Sequence, residues 1–190
     1  MRSIIDIYKI GKGPSSSHTM GPYKAVSSYM DNHPEADHLH VTLYGSLAAT
    51  GKGHLTDVAI KEAFATWGRT EHDTKESIER RKDEVEIEWR PSESLPVHPN
   101  GMKIAAVTDD GDIYDNWTYY SIGGGDIICM EHPFETEEET ALYDMNTMTD
   151  IMNWCNRTGK SYWEYVDETE GHNSNIWAHL ENVWKVMKEA

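Results

Sequence analysis

Twice in its first sixty residues the chain breaks at Gly-Lys-Gly, crosses polar residues that include a histidine, and enters an apolar repeat of helical spacing. The two stretches are GKGPSSSHT, Gly11 to Thr19, and GKGHLTD, Gly51 to Asp57. Glycines let the backbone turn sharply and approach a ligand closely. The start of the helix that follows offers unpaired N–H groups and a partial positive charge. Any fold for this chain has to accommodate two such helix starts. After the first, Pro22, Ala25, Val26, Tyr29 and Met30 recur at helical spacing, with Pro22 suited to a first turn and a stop expected near Asn32–Pro34. Residues 39–46, LHVTLYGS, alternate and predict a strand. The stretch ATGKGHLTD reads as a glycine-rich loop, and Val58, Ala59, Ala63 and Phe64 mark a second helix ending near Gly68.

The flanking segments fill in the class. SIIDIYKI, residues 3–10, predicts a short strand or a helical turn. TEHDTKESIERRKDEVEIEWR starts as a charged helix or loop and ends, at EVEIEW, as a strand with one wet face. KIAAVTD, the turn DDGD and DNWTYYSI form a hairpin pattern, broken at Gly123–Gly125 before DIICM. The glutamate-rich EHPFETEEET reads as a solvated excursion. Thr147 with Asp150 and Ser161 with Glu164 have capping-box spacing, and Gly159 suits a helix stop. A last helix places Ile176, Trp177, Leu180, Val183, Trp184 and Met187 on one stripe, which needs cover from this domain or from a partner. The expectation is an α+β fold, a mixed sheet packed with helices in two layers over residues 1–145, followed by a helical appendage over 146–190.

Charge excludes some functions. With 33 acidic against 17 basic residues the net charge is −16, which repels phosphate backbones and anionic membranes, so neither nucleic acid nor membrane is an expected partner. A small anion binds such a chain only where local N–H groups or cations override the field. No apolar run reaches the length of a membrane span, and the N-terminus lacks a signal-peptide layout. Two cysteines, Cys129 and Cys155, fit a reducing cytoplasm and are too few for an iron–sulfur cluster.

Within the twin stretches, Ser15, Ser16, Ser17 and Thr19 supply hydroxyl donors, and His54 has the near-neutral titration of a general base. Serine and threonine ahead of a helix are also ordinary N-caps, and a single loop histidine is more often a surface residue. Ser17 and His18, as sequence neighbours, are no catalytic pair. The glycine spacing matches neither a dinucleotide-binding nor a phosphate-binding loop, and the ten histidines lack a zinc pattern. Gly123–Gly125 reads as a bend needing positive φ or as a third loop at the same pocket. His98-Pro-Asn100-Gly101 reads as a turn.

KIGKGPSSSHTMGPYKA, VTLYGSLAATGKGHLTDVAI, LPVHPNGM and YYSIGGG, in that order, resemble the N-terminal beta domain of the iron–sulfur-dependent L-serine dehydratases, in particular the single-chain form. The resemblance runs from Met1 to about Ile128 and more loosely through the tail. It implies a lyase converting L-serine to pyruvate and ammonia, with a [4Fe–4S] cluster on a separate alpha domain acting as Lewis acid. By the same resemblance His54 is the base that removes the Cα proton. Ser15, Ser16, Ser17, His18, Thr19, Lys52, Gly53, Thr56 and Asn100 line the serine site, supported by Gly123, Gly124 and Gly125. The implied partners are L-serine, the alpha domain (in the same polypeptide or a partner subunit) and a second copy in a homodimer. The cluster is expected in the complete enzyme and not on this chain, which alone is expected to be inactive. The family's beta domain is also similar to the anion-binding regulatory domain of some phosphoglycerate dehydrogenases. A non-catalytic module that binds serine or another small anion is therefore the alternative.

Overall fold

The computed structural model describes residues 3–11, 13, 15–108, 110–134, 143, 145, 147–171 and 174–189. The chain divides into two compact units, Gly11–Phe134 and a second made of Met1–Ile10 with Glu135–Ala190. The larger unit is the α+β body that the alternation and helical periods predict.

Its sheet has five strands: β1 His38–Tyr44, β2 Val85–Arg90, β3 Gly101–Val107, β4 Ile113–Gly123 and β5 Asp126–Cys129. They lie in the order β2-β1-β3-β4-β5. β1 and β2 are parallel, with Leu39 opposite Val85, and the other pairs are antiparallel. A parallel pair needs a long crossover, and this one holds α3 Gly45–Thr50, a 3-10 turn Gly51–His54, α4 Thr56–Thr66 and α5 Lys75–Asp83. α2, Met20–Asn32, packs on α4 and on β3, β4 and β5. One sheet face, with Leu39, Val41, Leu43, Met102, Ile104 and Tyr119, meets Ala25, Val26, Tyr29 and Met30 of α2 and Ile60, Ala63 and Phe64 of α4 in a single buried core. The opposite face keeps His40, Glu88, Arg90 and Lys103 partly exposed, with the Arg90 guanidinium on Glu88 at 2.9 Å.

Three expectations need adjustment. The strand expected over 39–46 ends at Tyr44, because Gly45 turns at φ 49 and starts α3. Residues 45–54, expected as strand end and loop, are thus helical almost throughout. Val58 stays about half exposed, since α4 turns Ala59, Ile60, Ala63 and Phe64 to the core instead.

One side chain ties helix to sheet. Between Ile104 and Ala106 the β3–β4 register slips, and Asp115 opposite adopts φ 47. Such a bulge strands backbone groups that the ladder would otherwise pair. The hydroxyl of fully buried Tyr29 serves both sides, accepting from Ala106 N–H at 2.8 Å and donating to the Asp115 carbonyl at 2.8 Å. Burial drives this phenol well above its usual titration range. His33 stacks on the same ring, centroids 4.1 Å apart.

In the second unit α6 Met148–Thr158 and α7 Tyr162–Thr169 carry the two capping boxes, and Gly159 ends α6 in the left-handed region. Trp154 and Tyr165 are buried edge to face at 5.2 Å. Residues 4–7 form a single turn, α1, whose Ile4 N–H and Ser3 hydroxyl both donate to Glu170. On α8, Ser174–Glu189, Ile176 is buried while Trp177, Trp184 and Met187 are half exposed or more. Most of EHPFETEEET, residues 135–140, lies outside the described residues.

Replacing Tyr29 by Phe leaves the buried Ala106 N–H without its partner, while the carbonyl of exposed Asp115 can turn to water. An unmade buried hydrogen bond costs about 1–3 kcal/mol, so Tyr29→Phe is expected to destabilise the fold by about 1–3 kcal/mol. Urea unfolding measures it, and a loss below about 1 kcal/mol would refute the bridging role.

Candidate active site

The site grows from two features of the sequence: a tight turn over Ser15–Thr19 and a helical stripe from Ser46 to His54. In the first, His18 and Thr19 N–H groups both donate to the Ser15 carbonyl, and the Thr19 hydroxyl donates to it at 2.8 Å. This winds the four residues before α2 into a turn and folds the His18 side chain back over Ser15. The sequence neighbour Ser17 is not its partner; Ser15 Oγ is, 3.1 Å from His18 Nδ1. Thr19 precedes α2 without capping it by its side chain.

The second feature depends on two glycines. Gly45 sits at φ 49, where a Cβ would lie 2.6 Å from the Pro99 carbonyl oxygen, so the chain leaves β1 here and enters a helix. Gly51 lies so close to Trp89 that a Cβ would approach its ring to 2.6 Å. Between and beyond them, Ser46, Thr50 and His54 follow at intervals of four and share one face of the winding backbone. The Thr50 hydroxyl donates to the Ser46 carbonyl at 3.0 Å, and His54 Nδ1 lies 3.1 Å from the Thr50 carbonyl. Ser46 is itself fixed by an N–H bond to the Pro99 carbonyl, which joins the His98–Asn100 turn to the stripe.

The two features meet at the histidines. The His18 and His54 rings lie 4.7 Å apart, tilted by 44°. His18 Nε2 is 3.0 Å from Thr50 Oγ1, 3.3 Å from the Ser46 carbonyl and 3.4 Å from Ser46 Oγ. Carbonyl oxygens only accept, and this assigns the protons. His54 carries its proton on Nδ1, toward Thr50, which leaves the Nε2 lone pair bare. His18 carries its proton on Nε2. Burial pushes the His18 titration down, the Ser46 carbonyl opposes this, and the charge of a protonated His54 adds to the depression. His18 is only 8% exposed, and this burial favours its neutral form.

Around this pair the starts of α2 and α4 lie side by side. An apolar cleft of about 340 Å³ between them is lined by Thr19, Met20 and Tyr23 and by Leu55, Val58 and Glu62. Two helix N-termini at one end favour an anion there despite the acidic chain. A second, more polar cleft is lined by Thr50, Lys52, Gly53, His54 and Trp89, with the Lys52 ammonium 5.5 Å over the Trp89 ring. Between the clefts Leu55 takes φ 61, a left-handed conformation unusual for a branched side chain, at the junction of the 3-10 turn and α4. Strain of this kind gathers at functional sites.

The other expected site residues separate into near and remote. Thr56 is fully buried against Gly51, and its hydroxyl has no hydrogen-bond partner among the described residues. Ser16 contributes its carbonyl to the Gly21 N–H. Asn100 points away from His18 and His54 in its bonding: its Nδ2 donates to the Ser121 carbonyl at 3.3 Å, and its N–H donates to His98 Nδ1. Gly123, Gly124 and Gly125 all have positive φ and form the β4–β5 turn, with Gly125 close to Met20 at the start of α2. Sequence reasoning missed Ser46, Thr50 and Trp89. The interval of four from Ser46 to Thr50 to His54 was the available signal, hidden by reading the glycines as a loop. The cysteines stand on β5 and α6, and no group of three or more Cys, His, Asp or Glu among the described residues is placed to hold a metal ion. These residues do not fit an iron–sulfur cluster.

A two-layer α+β unit with paired histidines at two adjacent helix starts is the frame into which the comparisons fit. The family described as serine dehydratase beta chain matches residues 3–86 and 62–132, and the chain belongs to that family. The L-serine dehydratase of Haemophilus influenzae is 33% identical over 99% of this chain and 48% of its own length. L-serine dehydratase 1 of Escherichia coli K12 is 34% identical over the same shares. The L-serine dehydratase of Mycobacterium tuberculosis is 36% identical over 68% of this chain and 33% of its own. The chain thus spans about half the length of the first two, or less.

Two outcomes check the geometry. An unfolded histidine titrates near 6.5, and His18 in the fold titrates lower, so the unfolded chain binds more protons as pH falls through that value. Stability therefore decreases on acidification from about pH 6.5, and in His18→Gln this acid slope, followed by urea midpoints, is expected to be shallower. For Leu55, a left-handed non-glycine residue costs about 1–2 kcal/mol, against about 0.5–1 kcal/mol for the extra freedom of an unfolded glycine. Leu55→Gly is expected to leave stability equal or higher, while β-branched Leu55→Val lowers it; the reverse order in thermal melts would contradict the strain.

Proposed function

We propose that this chain is the substrate-lining part of an L-serine dehydratase, with His54 as the base that takes the Cα proton of L-serine. The observation that carries the reading is the His54 tautomer. With Nδ1–H held by the Thr50 carbonyl at 3.1 Å, the lone pair on Nε2 is the one basic position the ring presents. The Lys52 ammonium lines the same polar cleft and, with the two helix starts, gives a carboxylate its counter-charge. Ser15–Thr19, Gly53, Thr56 and Asn100 complete the assigned lining, and the Gly123–Gly125 turn backs the start of α2.

In this reading the Cα proton passes to His54 Nε2, its electron pair forms the Cα–Cβ double bond, and the β-hydroxyl leaves as hydroxide, so that one water in all is lost and aminoacrylate remains. Tautomerisation to the imine and addition of water then release pyruvate and ammonia. Family membership supports the reading, as do the names of the relatives, which are L-serine dehydratases. We further assign the [4Fe–4S] cluster and its alpha domain to the rest of the complete enzyme, cytoplasmic and homodimeric, and no step through the cluster is given to residues of this chain.

In the complete enzyme, His54→Asn is expected to lower kcat for L-serine by about 10²–10⁴-fold, the usual range for loss of a general base, with a much smaller change in KM. Pyruvate formation and exchange of Cα-deuterium measure it together. Turnover and exchange within about threefold of wild type would remove His54 from catalysis and favour a regulatory serine site.

A further inference from the structure

We propose that Ser15 recognises the α-ammonium of the substrate as a hydrogen-bond acceptor of fixed polarity, and that His18 is the positioning residue that fixes it. The inference rests on reading this cleft as a serine site. It follows from a chain of hydrogen bonds whose direction is set at one end. The Ser46 carbonyl is an obligatory acceptor and takes the Thr50 hydroxyl proton at 3.0 Å. Thr50 Oγ1 then faces His18 Nε2, 3.0 Å away, with its lone pairs, so the proton between them belongs to the imidazole. The Ser46 carbonyl, 3.3 Å from the same nitrogen, demands the same assignment independently. A neutral ring protonated on Nε2 has a bare Nδ1, and among the described residues the Ser15 hydroxyl, 3.1 Å away, supplies the proton to that nitrogen.

The sequence of donors is therefore Ser15 to His18 to Thr50 to Ser46, without a reversible link. Its consequence appears at the open end. A free serine hydroxyl rotates to give or accept, so it discriminates little between an ammonium and a carboxylate. Ser15 has its proton committed, and toward an incoming molecule its oxygen offers lone pairs alone. Such an oxygen pairs with N⁺–H and repels a carboxylate. Lys52, which lines the polar cleft with His54, has the opposite preference, so a molecule that reaches both meets an ammonium-binding end at Ser15 and a carboxylate-binding end at Lys52. A zwitterionic α-amino acid is thereby oriented, and its Cα–H is presented in one sense. Protonation of His18 Nδ1 would reverse Ser15 into a donor; the buried position of the ring opposes that reversal.

Two measurements test it. In the complete enzyme, Ser15→Ala is expected to raise KM for L-serine about tenfold or more, the effect of removing a hydrogen bond to a charged group. The inhibition constant of 3-hydroxypropanoate, which keeps the carboxylate and β-hydroxyl but has no ammonium, is expected to change less than about twofold. Equal losses for both compounds overturn the proposal, as does an unchanged KM for serine. If wild-type enzyme does not turn over L-serine at all, the functional reading fails instead. Long-range ¹H–¹⁵N NMR of this chain with labelled histidine reads the ring tautomers without activity or variant folding. Nε2–H on His18 with Nδ1–H on His54 is expected, and Nδ1–H on His18 overturns the assignment of polarity.

Discussion

The orientation of α2 is set by a single phenol. The Tyr29 hydroxyl serves both strands at the β3–β4 bulge, donating to the Asp115 carbonyl and accepting from the Ala106 N–H. The ladder by itself would leave the Ala106 N–H unpaired in the buried core. Rotating α2 about its axis or sliding it along the sheet would therefore cost that buried hydrogen bond. The opposite end of the same helix carries the Ser15–Thr19 turn. A constraint at the third turn of α2 thus decides where the His18 ring lies at its start, within contact of His54. Packing of Ala25, Val26 and Met30 holds the helix on the sheet, but smooth apolar packing does not choose a register as sharply as two hydrogen bonds do.

The acidic charge and the anion-favouring site are compatible because they act over different distances. Screening limits the field of surface carboxylates to about 10 Å at ordinary ionic strength. Within that range Lys52 is the charged side chain that lines the polar cleft with His54.

Much of the body was legible from periodicity. The apolar repeat after Pro22, the alternation in LHVTLY and EVEIEW and the hairpin around the DDGD turn all correspond to elements. Both capping boxes in the tail are present as spaced. The helical path over 51–54 was hidden because glycine reads as a breaker. Gly45 does break β1, but Gly51 and Gly53 lie inside a continuing helical path, chosen because Trp89 leaves no room for a side chain at Gly51. That contact is made across some forty residues of sequence and has no local signature. For the site, the motifs pointed to His54 and Ser15, and only coordinates could join Ser15 to His18 in preference to Ser17. Ser46, Thr50 and Trp89 act through what they touch, so a list of reactive residue types passes over them.

The winding of Ser46, Thr50 and His54 at intervals of four has a consequence for how this segment can diverge. Each residue added to or removed from such a path turns everything beyond it by about 100°. One deletion between Ser46 and His54 would carry the imidazole a quarter-turn or more from His18. Substitution is far less disruptive: a Cβ at Gly53 would meet nothing within 4 Å. Across these nine positions a change of length therefore disrupts the site more than a change of letter at a position such as Gly53, whereas Gly51 tolerates neither.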